Sequence, residues 1–345
     1  MQAKTFLVEQ SSFRNCNFSC KYCSPNGEKC VVNSMQLAKA IENESRVNAW
    51  LKANVEPTIF KISGNGEITM HPDFPCMFYA NAQNILITNG SMLDTKNITM
   101  LSSIDAPLTV QFSLDGITRK ANGLRISNPR LQEHVVGNLV RLLENRFPVE
   151  INCVLTAQNA PDFPALLDWV VDLRDRNQCN VKLMPLPVRP FKNMESSCLF
   201  STPESTTMFR QALIEDFSTY ADVLPPFPYL EAACAFMHEG KRTIQCIIPE
   251  ISIIVGTDNA ILWCGCGSKR TYGSVFNGGL ESRLSKPFIG SDACCHHCFT
   301  HHELLNLFML ARLKITDLAT MPSYAIEQVQ EDLKHVKMVI NNVSS

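Results

Sequence analysis

"TFLVEQSSFRNCNFSCKYCSPNG", residues 5–27, joins a short apolar run to a loop carrying three cysteines, Cys16, Cys20 and Cys23. The run "TFLVEQ" (5–10) has the length and β-branched content of a buried strand. The loop follows directly on it and so lies at that strand's C-terminal end, where α/β sheets and barrels place their chemistry. Gaps of three and two residues make neither a paired zinc knuckle nor an obvious disulfide framework. Three cysteinates leave one iron of a [4Fe–4S] cube without a protein ligand, whereas an electron-transfer cluster takes four. The alternative is a structural zinc site with a fourth ligand from elsewhere.

Five more apolar runs follow: "TIFKIS" (58–63), "NILITN" (84–89), "LTVQFSLDG" (108–116), "VEINCVLT" (149–156) and "VKLMPLPV" (181–188). Helical patterns separate them. Ser34 can cap a helix with Leu37, Ile41, Val47, Trp50 and Leu51 on its apolar face, and two later stripes start at Val135 and Phe163. Six strands alternating with helices predict an α/β fold with a parallel sheet, as an open doubly wound sheet or a partial barrel. After residue 190 the chain changes character. Residues 191–242 read as a helical and loop linker with a helix over 204–221, broken by "VLPPFPYL" (223–230). Residues 243–310 read as a small domain containing the hairpin "ISIIV"–"GTDN"–"AILWC", and residues 311–345 as a C-terminal helix, with helical patterns near 303–313 and 323–340.

Among 345 residues, 31 basic and 33 acidic side chains give a formal net charge of −2, and no long run of one sign advertises a nucleic-acid surface. Neither a signal peptide nor the roughly 20 apolar residues of a membrane span appears. The expectation is a cytoplasmic protein with no nucleic-acid or membrane partner. Fifteen cysteines in a reducing compartment point to metal binding or catalysis. Scattered ones, such as Cys76, Cys153 and Cys179, read as small hydrophobes.

The segment "CNFSCKYC" resembles the CxxxCxxC motif of radical S-adenosylmethionine (SAM) enzymes, including an aromatic residue, Tyr22, before the third cysteine. The resemblance covers residues 4 to about 188. It implies a partial (β/α)6 TIM-type barrel over residues 1–190. It further implies that Cys16, Cys20 and Cys23 hold a [4Fe–4S] cluster whose fourth iron is chelated by SAM. Such enzymes cleave SAM to a 5′-deoxyadenosyl radical that abstracts hydrogen from substrate. "SGNGEITMHPDF" (63–74) resembles the family's glycine-rich segment: Asn65 stands where the first glycine usually does, Gly66 would let the backbone approach the methionine end of SAM, and Glu67 would accept from its amino group. "ITNG" (87–90) resembles a recurrent family turn. "SLDG" (113–116) lies where the family places polar contacts to SAM, naming Ser113 and Asp115, which could equally cap a helix. Val154, Leu155 and Met184 stand where it places apolar contacts to adenine and also read as core.

A second cysteine group resembles the auxiliary-cluster extension of this family, called SPASM or, when shortened, twitch. Because no cysteine follows Cys298, the twitch form fits better, with one auxiliary [4Fe–4S] cluster on Cys246, Cys264, Cys295 and Cys298. Cys266 could replace Cys264, and Cys294 could replace Cys295. Zinc on four of these thiols is the alternative, with His296, His297, His301 and His302 as spares, these being otherwise solvent-facing or supporting residues. A closed cluster suits electron transfer, so the expected reaction is an oxidation, such as dehydrogenation of a small alcohol-bearing molecule. Cross-linking or epimerisation of a peptide is the alternative, with Cys234, Cys266 and Cys294 as hydrogen donors. A non-catalytic zinc-binding interaction protein is a third reading. The early first strand leaves no room for a leader-peptide domain, which favours a small molecule or a peptide presented by another protein. Arg189, Glu231 and His238 are candidates to meet substrate. The resemblance also implies a flavodoxin- or ferredoxin-type electron donor.

Overall fold

In the computed structural model, residues 2–23, 34–63, 66–189, 203–265, 270–285 and 298–343 are described. Six strands stand where the apolar runs predict them: β1 (Ala3–Gln10), β2 (Val55–Ile62), β3 (Gln83–Thr88), β4 (Leu108–Ser113), β5 (Val149–Leu155) and β6 (Val181–Pro187). Each pairs in parallel with the next, which makes the mixed α/β fold of a partial TIM-type barrel. Helices α1 (Ser34–Asn54), α2 (Thr95–Ser102), α3 (Pro129–Glu144) and α4 (Phe163–Asn177) make four of the five crossovers. Between β2 and β3 the chain makes only two short 3-10 turns, Ile68–Met70 and Phe74–Met77, in a segment broken by Pro72 and Pro75.

The two-residue period of a strand sends alternate side chains to opposite faces. Val8, Phe60 and Val110, all fully buried, lie on the face covered by helices. On the other face, direct cross-strand partners are Glu9 with Lys61, Gln111 with Glu150, and Ser113 with Asn152. A polar layer therefore lines the inside of the barrel.

The expected hairpin forms from β7 (Ser252–Val255) and β8 (Ala260–Leu262), and β9 (Thr271–Ser274) pairs beside it. Gly256 N–H donates to the Ala260 carbonyl at 2.9 Å and Asn259 adopts φ +57° to close the turn. The hairpin does not stand apart from the barrel. β7 pairs in parallel with β1, Leu7 opposite Ser252 through Gln10 opposite Val255, so the order is β6-β5-β4-β3-β2-β1-β7-β8-β9. Without β7, the β1 edge would be left with unpaired backbone groups.

The helix expected over 204–221 is interrupted: Pro203–Arg210 passes into a π-helical turn, Gln211–Glu215, and a short helix follows at Phe217–Tyr220. "VLPPFPYL" does not merely break a helix, because Phe227–Glu239 begins inside it. Towards the C-terminus, helix Glu303–Met309 is buried along its length. Ser323 N–H then donates to Glu150 inside the barrel at 2.8 Å, and Asp332 of helix Glu327–Val343 accepts from Thr58 Oγ1 at 2.6 Å. Among the described residues, no helix is long and apolar enough to cross a membrane.

One α1 carboxyl is fully buried. Glu44 accepts from Gln10 Nε2 at 2.8 Å and from Ser12 Oγ, which fixes the end of β1 just before the cysteine loop. Burial outweighs those bonds and pushes its carboxyl from the ordinary 4.5 up to about 7. A raised carboxyl pKa means that the folded state holds the proton more tightly. The group's contribution is then full below pH ~4.5 and is lost as pH rises through about 7, roughly 3 kcal/mol in all. Glu44→Gln keeps both bonds without the charge. It is expected to match the parent near pH 4.5 and to melt higher at pH 8, read from thermal midpoints across that range.

Candidate active site

The cysteine loop leaves β1 and is held from three sides. Glu67 N–H donates to the Asn15 carbonyl at 2.6 Å, so the loop after β2 lies directly against the residue before Cys16. Only glycine permits this approach: a Cβ on Gly66 would stand 2.7 Å from the carbonyl carbons of Arg14 and Asn15 and closer still to the Asn15 oxygen. From the β3 end, Asn89 Nδ2 donates to Asn17 Oδ1 at 3.0 Å and reaches Cys16 Sγ at 3.9 Å. From beyond β4, the Leu124 carbonyl accepts from Lys21 N–H at 2.9 Å. The turn at Gly90 has φ +76°, and a Cβ there would overlap the Phe112 ring.

Glu67 and Asp115 are both buried and both tied into the protein. The Glu67 carboxylate accepts from Thr69 N–H, the Thr69 and Thr88 hydroxyls and, at 2.6 Å, Asn89 N–H. It fastens the β2 loop to the β3 loop. Asp115 accepts from the Tyr22 hydroxyl, from Arg125 Nε and Nη2 at 3.2 and 3.0 Å, and from Val154 N–H at 2.9 Å. Arg125, which carries no signal in the sequence, also places its guanidinium 5.5 Å from the Tyr22 ring centroid. Ser113 is half-buried at the end of β4, opposite Asn152. The Asn152 Oδ1 is buried and has no hydrogen-bond partner among the described residues. Asn65 lies outside the described residues.

Burial pushes the Cys16 thiol up to about 12 and the Cys20 thiol up to about 11, with Arg125 partly offsetting the latter. Cations that bind here must therefore displace protons. Among the described residues, no three His, Cys, Asp or Glu side chains converge as chelation of a single ion requires. A cubane suits a wider spread of thiols, since each sulfur there meets its own iron.

A cavity of about 320 Å³ opens at the C-terminal ends of the strands. Tyr22 and Cys23 line it, as do Cys246, Cys264 and Cys298 of the second group, so tertiary structure brings members of both sets to one space. Cys246, Cys264 and Cys298 are buried. Cys295 and the alternatives Cys266 and Cys294 lie outside the described residues. Asn152, Val154 and Leu186 form a further wall, whereas Leu155 and Met184 are core.

The same cavity is lined by a charged cluster of Glu9, Lys61, His301 and His302. Glu9 Oε1 accepts from Ser11 Oγ at 3.1 Å and Ser63 Oγ at 2.8 Å, while Oε2 is 3.7 Å from Lys61 Nζ and 3.3 Å from His302 Nε2. Lys61 also hydrogen-bonds the His301 ring. Burial alone would raise the Glu9 carboxyl, but Lys61, with help from the His302 hydrogen bond, holds it well below the ordinary range. Burial, with the Lys61 charge, lowers His301 and keeps it neutral. His301 and His302 are 9% and 6% exposed, so of the two expectations, solvent-facing or supporting, they are not solvent-facing. The signal for Glu9 and Lys61 was present: each is the only charged residue in its apolar run, "TFLVEQ" (5–10) and "TIFKIS" (58–63). Of the three candidates to meet substrate, Arg189 lines the cavity, whereas Glu231 and His238 are exposed on helix Phe227–Glu239.

No family model matches the chain. It is 29% identical over 167 residues to a GTP 3′,8-cyclase of Actinobacillus pleuropneumoniae serotype 3 (strain JL03), covering 46% of this chain and 47% of that protein. With the Pasteurella multocida (strain Pm70) GTP 3′,8-cyclase, it is 29% identical over 180 residues, 50% and 51% of the two. The chain thus spans about half the length of these relatives. Its fold is similar to Streptococcus suis SuiB bound to S-adenosylmethionine, with a TM-score of 0.57 at 13% identity over 81% of this chain and 65% of that one. It is also similar to native anSMEcpe with bound AdoMet, with a TM-score of 0.55 at 17% identity over 98% of each. SuiB has also been solved with the precursor peptide SuiA, and anSMEcpe with the Cp18Cys peptide. The fold is therefore that of the radical SAM partial barrel. The Cys16–Cys23 motif and the sequence relatives resemble radical SAM enzymes, as the fold does.

Gly66→Ala should force the Asn15 peptide away from the β2 loop. After anaerobic iron–sulfur reconstitution, the variant is expected to bind markedly less iron than the parent, read by iron analysis and visible absorbance, with the far-ultraviolet spectrum unchanged.

Proposed function

We propose that this chain is a SAM-dependent enzyme performing a net two-electron oxidation. Cys16, Cys20 and Cys23 hold a [4Fe–4S] cluster, and Cys246, Cys264, Cys295 and Cys298 hold a closed auxiliary one. The reading is carried by one cavity that has Cys23 on its wall together with Cys246, Cys264 and Cys298, with Glu9 and His302 lining it too. When bound, SAM and the first cluster supply a 5′-deoxyadenosyl radical that takes a hydrogen atom from substrate.

The chain's own residues divide the remaining work. Gly66 brings main chain against the loop, and Glu67 and Asp115 act by fixing the strand ends around it. Ser113 and the unpaired Asn152 Oδ1 offer hydroxyl-binding positions, and Tyr22 and Val154 offer apolar surface. Glu9 is an anion and can only accept, so His302 Nε2 donates to it and Nδ1 is the basic nitrogen. That pair is the proton acceptor we assign; an auxiliary cluster held by Cys246, Cys264, Cys295 and Cys298 would supply the one-electron acceptor. The substrate class is an alcohol-bearing small molecule, oxidised at the carbon that bears the hydroxyl. Peptide modification is the second reading, supported by the overlap with the whole of anSMEcpe, a protein solved with a bound peptide. Epimerisation gains no support from Cys234, which is buried on helix Phe227–Glu239 and does not line the cavity.

Anaerobic reconstitution should give about eight irons and eight sulfides per chain, the count for two four-iron clusters. Stoichiometric zinc with no cleavage of SAM under reductant would sink the proposal. Cys16→Ala should abolish that cleavage, and Cys298→Ala should spare it in the absence of substrate. With a panel of deuterated alcohols and serine peptides, deuterium appearing in 5′-deoxyadenosine identifies the class. His302→Gln is expected to leave that transfer intact while product falls about 100-fold.

A further inference from the structure

Arg242 lies on the turn between helix Phe227–Glu239 and Cys246, and its side chain is 3% exposed. It lines the cavity with the second cysteine group and hydrogen-bonds the Cys246 side chain. Its Nε lies 3.1 Å from Oε2 of Glu303, a carboxylate only 1% exposed. Asn306 Nδ2 donates to the same oxygen at 2.8 Å, and Asn306 Oδ1 accepts from the backbone of Ile247, next to Cys246, at 3.0 Å. One edge of the guanidinium thus faces a braced carboxylate as an ion pair. Its Nε and Nη1 are both buried with no hydrogen-bond partner among the described residues.

A buried donor left unpaired on a permanent cation is costly unless an anion faces it. A [4Fe–4S] cluster on four cysteinates is such an anion, and its potential depends on hydrogen bonds to sulfur and on nearby charge. Arginine suits the place better than lysine, because its planar fork can serve Glu303 with one edge and sulfur with the other.

We propose that Arg242 is the positioning residue that sets the potential of the auxiliary cluster, donating from Nη1 to a cluster sulfur and stabilising the reduced form. The inference rests on the auxiliary-cluster reading above. Electrons balance: substrate gives a hydrogen atom to the SAM-derived radical, a proton to the Glu9–His302 pair, and one electron that reduces the auxiliary cluster once.

The test uses the full chain carrying Cys16→Ala, Cys20→Ala and Cys23→Ala, so that only the auxiliary cluster contributes to a redox titration followed by electron paramagnetic resonance. In that background, Arg242→Gln should shift the midpoint to lower potential with iron and sulfide unchanged. Arg242→Lys should shift it less, and Glu303→Gln should shift it upward by leaving the guanidinium uncompensated. Should Arg242→Gln fail to retain the cluster, the other two variants decide. Iron bound with midpoints unmoved overturns the role of Arg242 alone. A parent background that binds no iron overturns the auxiliary-cluster reading and the role with it.

Discussion

A main-chain hydrogen bond from Glu67 to the Asn15 carbonyl is the contact around which the mouth of this barrel is arranged. It forms only because Gly66 lacks a Cβ, and it sets the loop after β2 against the three-cysteine loop after β1. The carboxylate of the same residue extends the tie to Thr88 and Asn89 at the end of β3. Three strand ends are thereby locked in register by one buried glutamate. Burial raises its pKa, and the four hydrogen bonds it accepts work against that shift. An ordered rim is what the proposed cluster-binding role of this loop needs, because ligands must be held before they can hold anything else.

The opposite side of the loop depends on a second buried carboxylate. Asp115 gathers Tyr22, Arg125 and the backbone of Val154, so β4 and β5 are joined to the loop by a charge-assisted pair. Further inside, Glu9 and Lys61 face each other across β1 and β2 and meet His301 and His302, about 240 residues later in the chain. The C-terminal segment is thus folded against the barrel interior and supplies part of the cavity wall. β7 completes the arrangement by pairing with β1, which carries the second cysteine group to the same rim.

Much of this was legible because strands write themselves into sequence locally. Six apolar runs predicted six strands, and "GTDN" predicted a hairpin turn, since both signals depend on neighbours a few residues apart. Roles of individual polar residues were less legible. Glu67 and Asp115 stand where the motifs placed them, but their carboxylates are used to fasten strand ends, and Asn152, on the cavity wall, has an acceptor with no partner among the described residues. A motif states which residue occupies a turn. It does not state which way that side chain will satisfy itself once buried.

By itself the sequence determined the parallel α/β alternation, the place of the three-cysteine loop at the end of the first strand, and the existence of a second cysteine group. These rest on periodicity and spacing along the chain. Only tertiary structure decided that Cys23, Cys246, Cys264 and Cys298 share a cavity, that two adjacent histidines are buried against Glu9 and Lys61, and that Arg242 stands behind the second group with a donor unspent. Those facts join residues up to about 290 positions apart, and no local pattern encodes a contact created by closing a sheet and docking a C-terminal segment onto it.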